Sequence, residues 1–133
     1  MKILGKLPVL VTLFLMVAAG FAVAQPFELT VNATPLRQEV MYSFRIRINV
    51  IVTDKATHKP VDRALVHVTY ATQKTDGTPV GGVQWKRTKK NGSVWFSFIT
   101  YTDFIGSTFN FYIRAEQRER EGYTECSADV IDH

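Results

Sequence analysis

Few side chains in this sequence could do chemistry, and their spacing decides what each can do. There is one thiol, Cys126, and three imidazoles, His58, His67 and His133. A Cys126–His67 pair would make an activated nucleophile. Cys126, however, shares a strand face with Ala128 and Val130, where a thiol is buried and inert. His67 alternates with Val66 and Val68 and reads as a solvated strand residue. His58 sits in a loop and His133 at the terminus, so no i, i+2 or i, i+4 spacing builds a histidine metal site. A single cysteine closes no internal disulfide and supplies no cysteine-based zinc site. No Gly-x-Ser-x-Gly elbow presents a serine nucleophile.

The carboxylates are equally dispersed. Asp54, Asp62, Asp76 and Asp103 fall in turns and lack the Asp-x-Asp-x-Asp-Gly run that gathers six to eight oxygens round calcium, so they read as turn formers. Glu116, Glu119, Glu121 and Glu125 interleave with Arg118 and Arg120, the pattern of a solvated charged loop. Arg37, Arg45, Arg47 and Lys86 are what the solvent side of a half-buried sheet carries. The expectation is a chain without catalytic residues, metal or cofactor.

Two features remain. Asn32-Ala33-Thr34 and Asn91-Gly92-Ser93 are glycosylation sequons, relevant only if the chain is exported and its source glycosylates on asparagine. Trp95, Ile99 and Tyr101 alternate with Val94, Phe96 and Phe98, so one strand carries large side chains on both faces. With Tyr112, and Trp85 nearby, they form a candidate contact surface, unless the chain's own loops cover them.

The elements that position these residues are strands. From Met41 to Asp54, Tyr42, Phe44, Ile46, Ile48, Val50 and Val52 alternate with Ser43, Arg45, Arg47, Asn49 and Thr53, a sustained period of two. Phe27 to Thr34 is a shorter strand stopped by Pro35. Asp54 to Pro60 is turn chemistry. Ala64, Val66, Val68 and Tyr70 alternate again, and Val83 to Thr88 forms a strand after the Gly81-Gly82 loop. Asn91-Gly92 predicts a two-residue hairpin with positive φ at both positions. Phe109, Phe111, Ile113 and Ala115 mark the next strand, Gln117 to Gly122 a charged loop, and Cys126, Ala128 and Val130 the last strand. Seven short strands without a helical period predict an all-β, antiparallel two-sheet sandwich. Its core would gather Phe44, Ile46, Ile48, Val66, Phe96, Phe98, Phe111 and Ile113.

This domain would occupy residues 25–133. The 24 residues before it read as a signal peptide: Lys2 and Lys6, an apolar run from Val9 to Ala19, then Ala22-Val23-Ala24 before Gln25. An uncleaved anchor is the alternative, since Leu7 to Ala24 approaches the ~18 residues that span a bilayer. Composition agrees with one exported domain. The 133 residues are 46% hydrophobic, too apolar for a disordered chain and too few for a multidomain enzyme. Removing Lys2 and Lys6 from a net charge of +4 leaves +2. That excess is too small to make nucleic acid or an anionic membrane the main partner.

Several stretches carry a family resemblance. Val52-Thr53-Asp54, a turn, and then Lys59-Pro60-Val61-Asp62-Arg63-Ala64-Leu65-Val66-His67-Val68 resemble the "V-T-D … x-P-V-x-x-A-x-V-x-V" run of invasin-type bacterial Ig-like domains, and of related carboxypeptidase-regulatory-like sandwiches. Lys90 to Phe98 resembles that family's "x-N-G-x-A-x-F-x-F" strand, and Gly106 to Phe111 its "G-T-Y-x-V" segment. The chain departs at Ala56-Thr57-His58, where the family has a glycine after the aspartate. The resemblance implies a secreted or cell-surface, non-catalytic module with a structural or adhesive role and no catalytic residues to carry over. Its partner would be a protein or glycan at the cell surface. Two alternatives stand beside this: a filament subunit that adds its segment Gln25 to Thr34 to a neighbouring copy as a strand, and a carbohydrate-binding module using the aromatic patch.

Overall fold

A computed structural model describes residues 27–132. The leader read over residues 1–24, the start at Gln25 and His133 lie outside the described residues. Eight strands follow in order: β1 Leu29–Pro35, β2 Glu39–Met41, β3 Arg45–Asp54, β4 Leu65–Gln73, β5 Pro79–Arg87, β6 Ser93–Ile99, β7 Thr108–Gln117 and β8 Arg120–Ile131. A single 3₁₀ turn, Thr102–Phe104, lies between β6 and β7.

The strands form two sheets, β1-β3-β6 and β2-β8-β7-β4-β5, which is the expected Ig-like sandwich. Alternation decides which side chains enter it. Ile46, Ile48, Val50 and Val52 of β3 are fully buried, and they meet Val66, Val68, Phe111 and Ile113 from the other sheet in one core cluster. Phe98 joins two rings across the gap, 5.3 Å from Tyr70 and 4.9 Å from Phe111 between centroids. Tyr70 in turn lies across Gly82, its register partner on β5; a Cβ there would stand 2.8 Å from the Tyr70 ring.

Gly81-Gly82, expected as a loop, lies within β5 and pairs with Ala71 and Tyr70, and four further expectations need correction. Phe44 is 57% exposed instead of being part of the core. Its parity is right, but Ser43 turns the chain at φ 73° and Phe44 N–H donates back to Met41 O, so β3 begins only at Arg45. Asn91-Gly92 is not a hairpin, because β5 and β6 belong to different sheets. Only Gly92 has positive φ, at 79°, and its N–H donates to Lys89 O, closing a turn that carries the chain from one sheet to the other. The charged loop expected from Gln117 to Gly122 is a tight turn instead, with Gln117 and Arg120 already register partners.

The fourth correction concerns the start of the domain. β1 pairs antiparallel with β3, and after Pro35 the chain crosses to the second sheet. There β2 pairs parallel with β8, an eighth strand and a parallel pair that the periodicity did not anticipate. The segment considered for addition to a neighbouring copy is therefore β1 within its own sheet, where Leu29 and Val31 are buried.

Candidate functional site

Among the described residues, the side chains singled out for chemistry lie apart from one another. Cys126 is half-buried, and burial pushes its thiol up to about 11. His67 stands on the outer face of β4, with Nε2 4.0 Å from Glu116 Oε1. Asp76 Oδ1 accepts from Thr78 N–H at 2.9 Å, and Asp103 ion-pairs with Lys74 at 3.4 Å. Among the described residues no group of three His, Cys, Asp or Glu side chains gathers to hold a metal ion.

Asp54 organises the turn in which the family glycine is missing. Its Oδ1 accepts from Ala56 N–H at 2.9 Å and Thr57 N–H at 3.0 Å, while His58 takes the left-handed conformation at φ 62°. Oδ2 receives Arg120 Nη1 at 2.6 Å, tying this turn to the start of β8. The Thr57 N–H, aided by Ala56, the Thr57 hydroxyl and Arg120, holds the carboxyl below its ordinary value. A depressed carboxylate stabilises the fold above its unfolded pKa, and that contribution is lost as pH falls through the folded value. Asp54→Asn should therefore flatten the loss of stability below about pH 4, measured by denaturant midpoints across an acid series. Parallel profiles for the two proteins would remove this role.

Each sheet has an outer face that carries exposed aromatic side chains. On the three-stranded sheet, Trp95 and Ile99 are 40% and 46% exposed, and Tyr101 beyond the strand end is 57% exposed. The Arg47 guanidinium stacks over the Trp95 ring, 5.3 Å from its centroid. Such a contact contributes about 0.5–1 kcal/mol at an exposed site. Beneath this layer Asn49 Oδ1 and Ser97 Oγ are buried with no hydrogen-bond partner among the described residues.

Tyr112 does not join them. β7 belongs to the five-stranded sheet, so Tyr112 looks out from the opposite side of the sandwich. There it has other company. Register aligns Val83, Thr69, Tyr112 and Glu125 across four strands, and Trp85, His67, Arg114 and Tyr123 in the next row. Val83 is 58% exposed and Trp85 65%. Tyr123 donates its hydroxyl to Glu125 Oε2 at 2.6 Å, and burial and that carboxylate push the phenol's pKa up. Arg114 pairs with Glu116 at 2.6 Å and Glu121 at 3.4 Å, so the charges at the end of this face are largely matched among themselves. The gathering of Val83, Trp85, Tyr112 and Tyr123 escaped the sequence reading. Its one sequence signal is that Val83 and Trp85 share parity.

The two sequons differ in setting. Asn32 is exposed on the outer side of β1. Asn91 is exposed in its turn, with Oδ1 accepting from Ser93 N–H and Oγ at 3.1 and 2.8 Å.

No family model matches the chain, and no curated protein matches it. Among solved structures it is similar to the adhesin InvE of Yersinia pseudotuberculosis, with a TM-score of 0.57 and 18% identity, over 79% of this chain and 33% of that one. A conjugative transposon lipoprotein of Bacteroides eggerthii gives 0.46 and 13%, over 77% of this chain and 98% of that one. A conjugate transposon protein of Bacteroides vulgatus gives 0.46 and 9%, over 84% and 92%. The likeness to the adhesin is one of fold, and this chain spans about a third of the adhesin's length.

Proposed function

We propose that this Ig-like sandwich is a cell-surface adhesive module that binds a protein partner through the outer face of its five-stranded sheet. The observation that carries the reading is the row-by-row exposure of Val83, Trp85, Tyr112 and Tyr123 on one outer face. Large aromatic side chains supply most of the energy of such contacts, because they bury much apolar area at little entropic cost. The leader-like residues 1–24 and the fold shared with an adhesin support an extracellular setting.

A filament joined by strand addition would have to withdraw β1 and expose Leu29 and Val31. A glycan would stack on the same aromatic face, so the experiment separates glycan from protein. Beads coated with the purified chain are tested on intact cells, on cells stripped of surface protein by protease, and on cells stripped of glycan by glycosidase. Adhesion should fall after protease and not after glycosidase. It should also be lost in Trp85→Ser with Tyr112→Ser while the thermal midpoint stays within a few degrees (~2–4 °C) of the parent. Adhesion that survives this double substitution, or is lost only after glycosidase, would overturn the reading.

A further inference from the structure

A groove of about 770 Å³ opens where the chain crosses between sheets, beside β2 and the start of β3. Four observations about it converge.

The first is a free backbone edge. Among the described residues β2 ends the five-stranded sheet and pairs only with β8. Asp129 N–H donates to Gln38 O and Tyr42 N–H donates to Ile131 O, so the even-numbered residues face β8. In a parallel ladder alternate residues face alternate sides, which leaves Glu39 N–H, Glu39 C=O and Met41 N–H turned away from the sheet. Met41 O is used by Phe44 N–H. The second observation is contrast with β6, which ends the other sheet. Its outward carbonyls are capped, Trp95 O by Lys86 Nζ at 2.9 Å and Ser97 O by Gln84 Nε2 at 3.0 Å. Natural sheets blunt their edges in this way, and among the described residues no side chain caps β2.

Third, Leu36 and Phe44 line the groove at 58% and 57% exposure, with Val40 buried at its floor. Fourth, its rim carries Arg37, Arg45 and Arg47 against the single carboxylate Glu39, and none of the three arginines is ion-paired among the described residues. Backbone donors, an apolar seat and unpaired guanidiniums together fit an extended polypeptide carrying carboxylates. A polysaccharide would use the charge and leave the apolar seat and the free backbone groups idle.

We propose that β2 and this groove capture an extended acidic segment of a partner protein by strand addition, with carboxylates meeting Arg37 and Arg45 and an apolar side chain seated between Leu36 and Phe44. Alternate residues of an added strand point the same way, so the preferred segment alternates apolar or acidic residues with unconstrained ones. This site lies apart from the adhesive face proposed above and does not depend on it.

The probe is a fluorescent synthetic peptide alternating valine with threonine and carrying two glutamates, titrated into the full chain by anisotropy. Saturable binding is expected, weakened about tenfold or more by Arg37→Gln with Arg45→Gln, and weakened again when the glutamates become glutamines. N-methylating the peptide on one edge should abolish binding, while N-methylation on the other edge should leave it intact, a readout that leaves the protein's own folding untouched. No saturable binding, equal tolerance of both methylated forms, full binding by the double arginine variant, or equal displacement by a sulfated polysaccharide would each overturn the proposal.

Discussion

Phe111→Ala should lower the unfolding free energy by about 3–5 kcal/mol, among the largest losses expected from truncating one side chain here. Phe111 is fully buried, with ring centroids 4.9 Å from Phe98 and 6.1 Å from Phe109. Shortening it removes a ring from the middle of this cluster and leaves a cavity that strands fixed by their ladders on both sides cannot fill. A small domain has only about 5–15 kcal/mol in total, so the variant should sit near its unfolding threshold. Arg45→Ala, on the solvent side of β3, should change stability by less than about 0.5 kcal/mol. Urea titration of the two should separate their midpoints while the slopes stay alike. Equal losses would mean that the inward and outward faces have been exchanged.

The second large effect is expected at a glycine. Gly92 has φ 79°, its carbonyl accepts from Val52 N–H at 2.8 Å, and a Cβ would stand 2.6 Å from Val52 O and 3.1 Å from Pro60 Cβ. Gly106 has a similar φ of 86° with nothing within 4 Å of its Cβ position. Gly106→Ala should therefore cost only the left-handed backbone penalty, about 1–2 kcal/mol. Gly92→Ala should add about 1–3 kcal/mol of overpacking to that penalty, because the atom in the way is a main-chain oxygen held in the β3 region. Two alanine variants compared by calorimetry isolate the clash. If both melt together, the approach of this turn to Val52 is looser than described.

These cases show what was legible in the sequence. A period of two is a local property, so the inward faces of β3, β4, β6 and β7 could be read residue by residue, and all but Phe44 of the expected core is buried. The family-like runs, from Val52 to Val68 and from Lys90 to Phe111, also placed those strands in the right kind of sandwich. Which strands lie side by side is a long-range property, and parity does not carry it. Trp95 and Tyr112 both point outward from their strands, yet they end on opposite sides because β6 and β7 belong to different sheets. Asn91-Gly92 has the chemistry of a hairpin turn, and only the competition between β3 and β5 for β6 decides that it crosses the sandwich instead. β2 has three residues, too few to show any period, so neither its free edge nor the groove beside it could be anticipated.

The parallel pairing of β2 with β8 has a mechanical consequence. β2 lies near the beginning of the described chain and β8 at its end, and the two run in the same direction with Glu39 to Met41 beside Asp129 to Ile131. Tension that draws the two ends apart therefore slides these strands past each other, straining their hydrogen bonds together instead of peeling them open one at a time. β1, clamped to β3 in the other sheet, meets the pull first. Force drawn between the two ends would pass through this seam and along β8, the strand that also presents Tyr123 on the outer face.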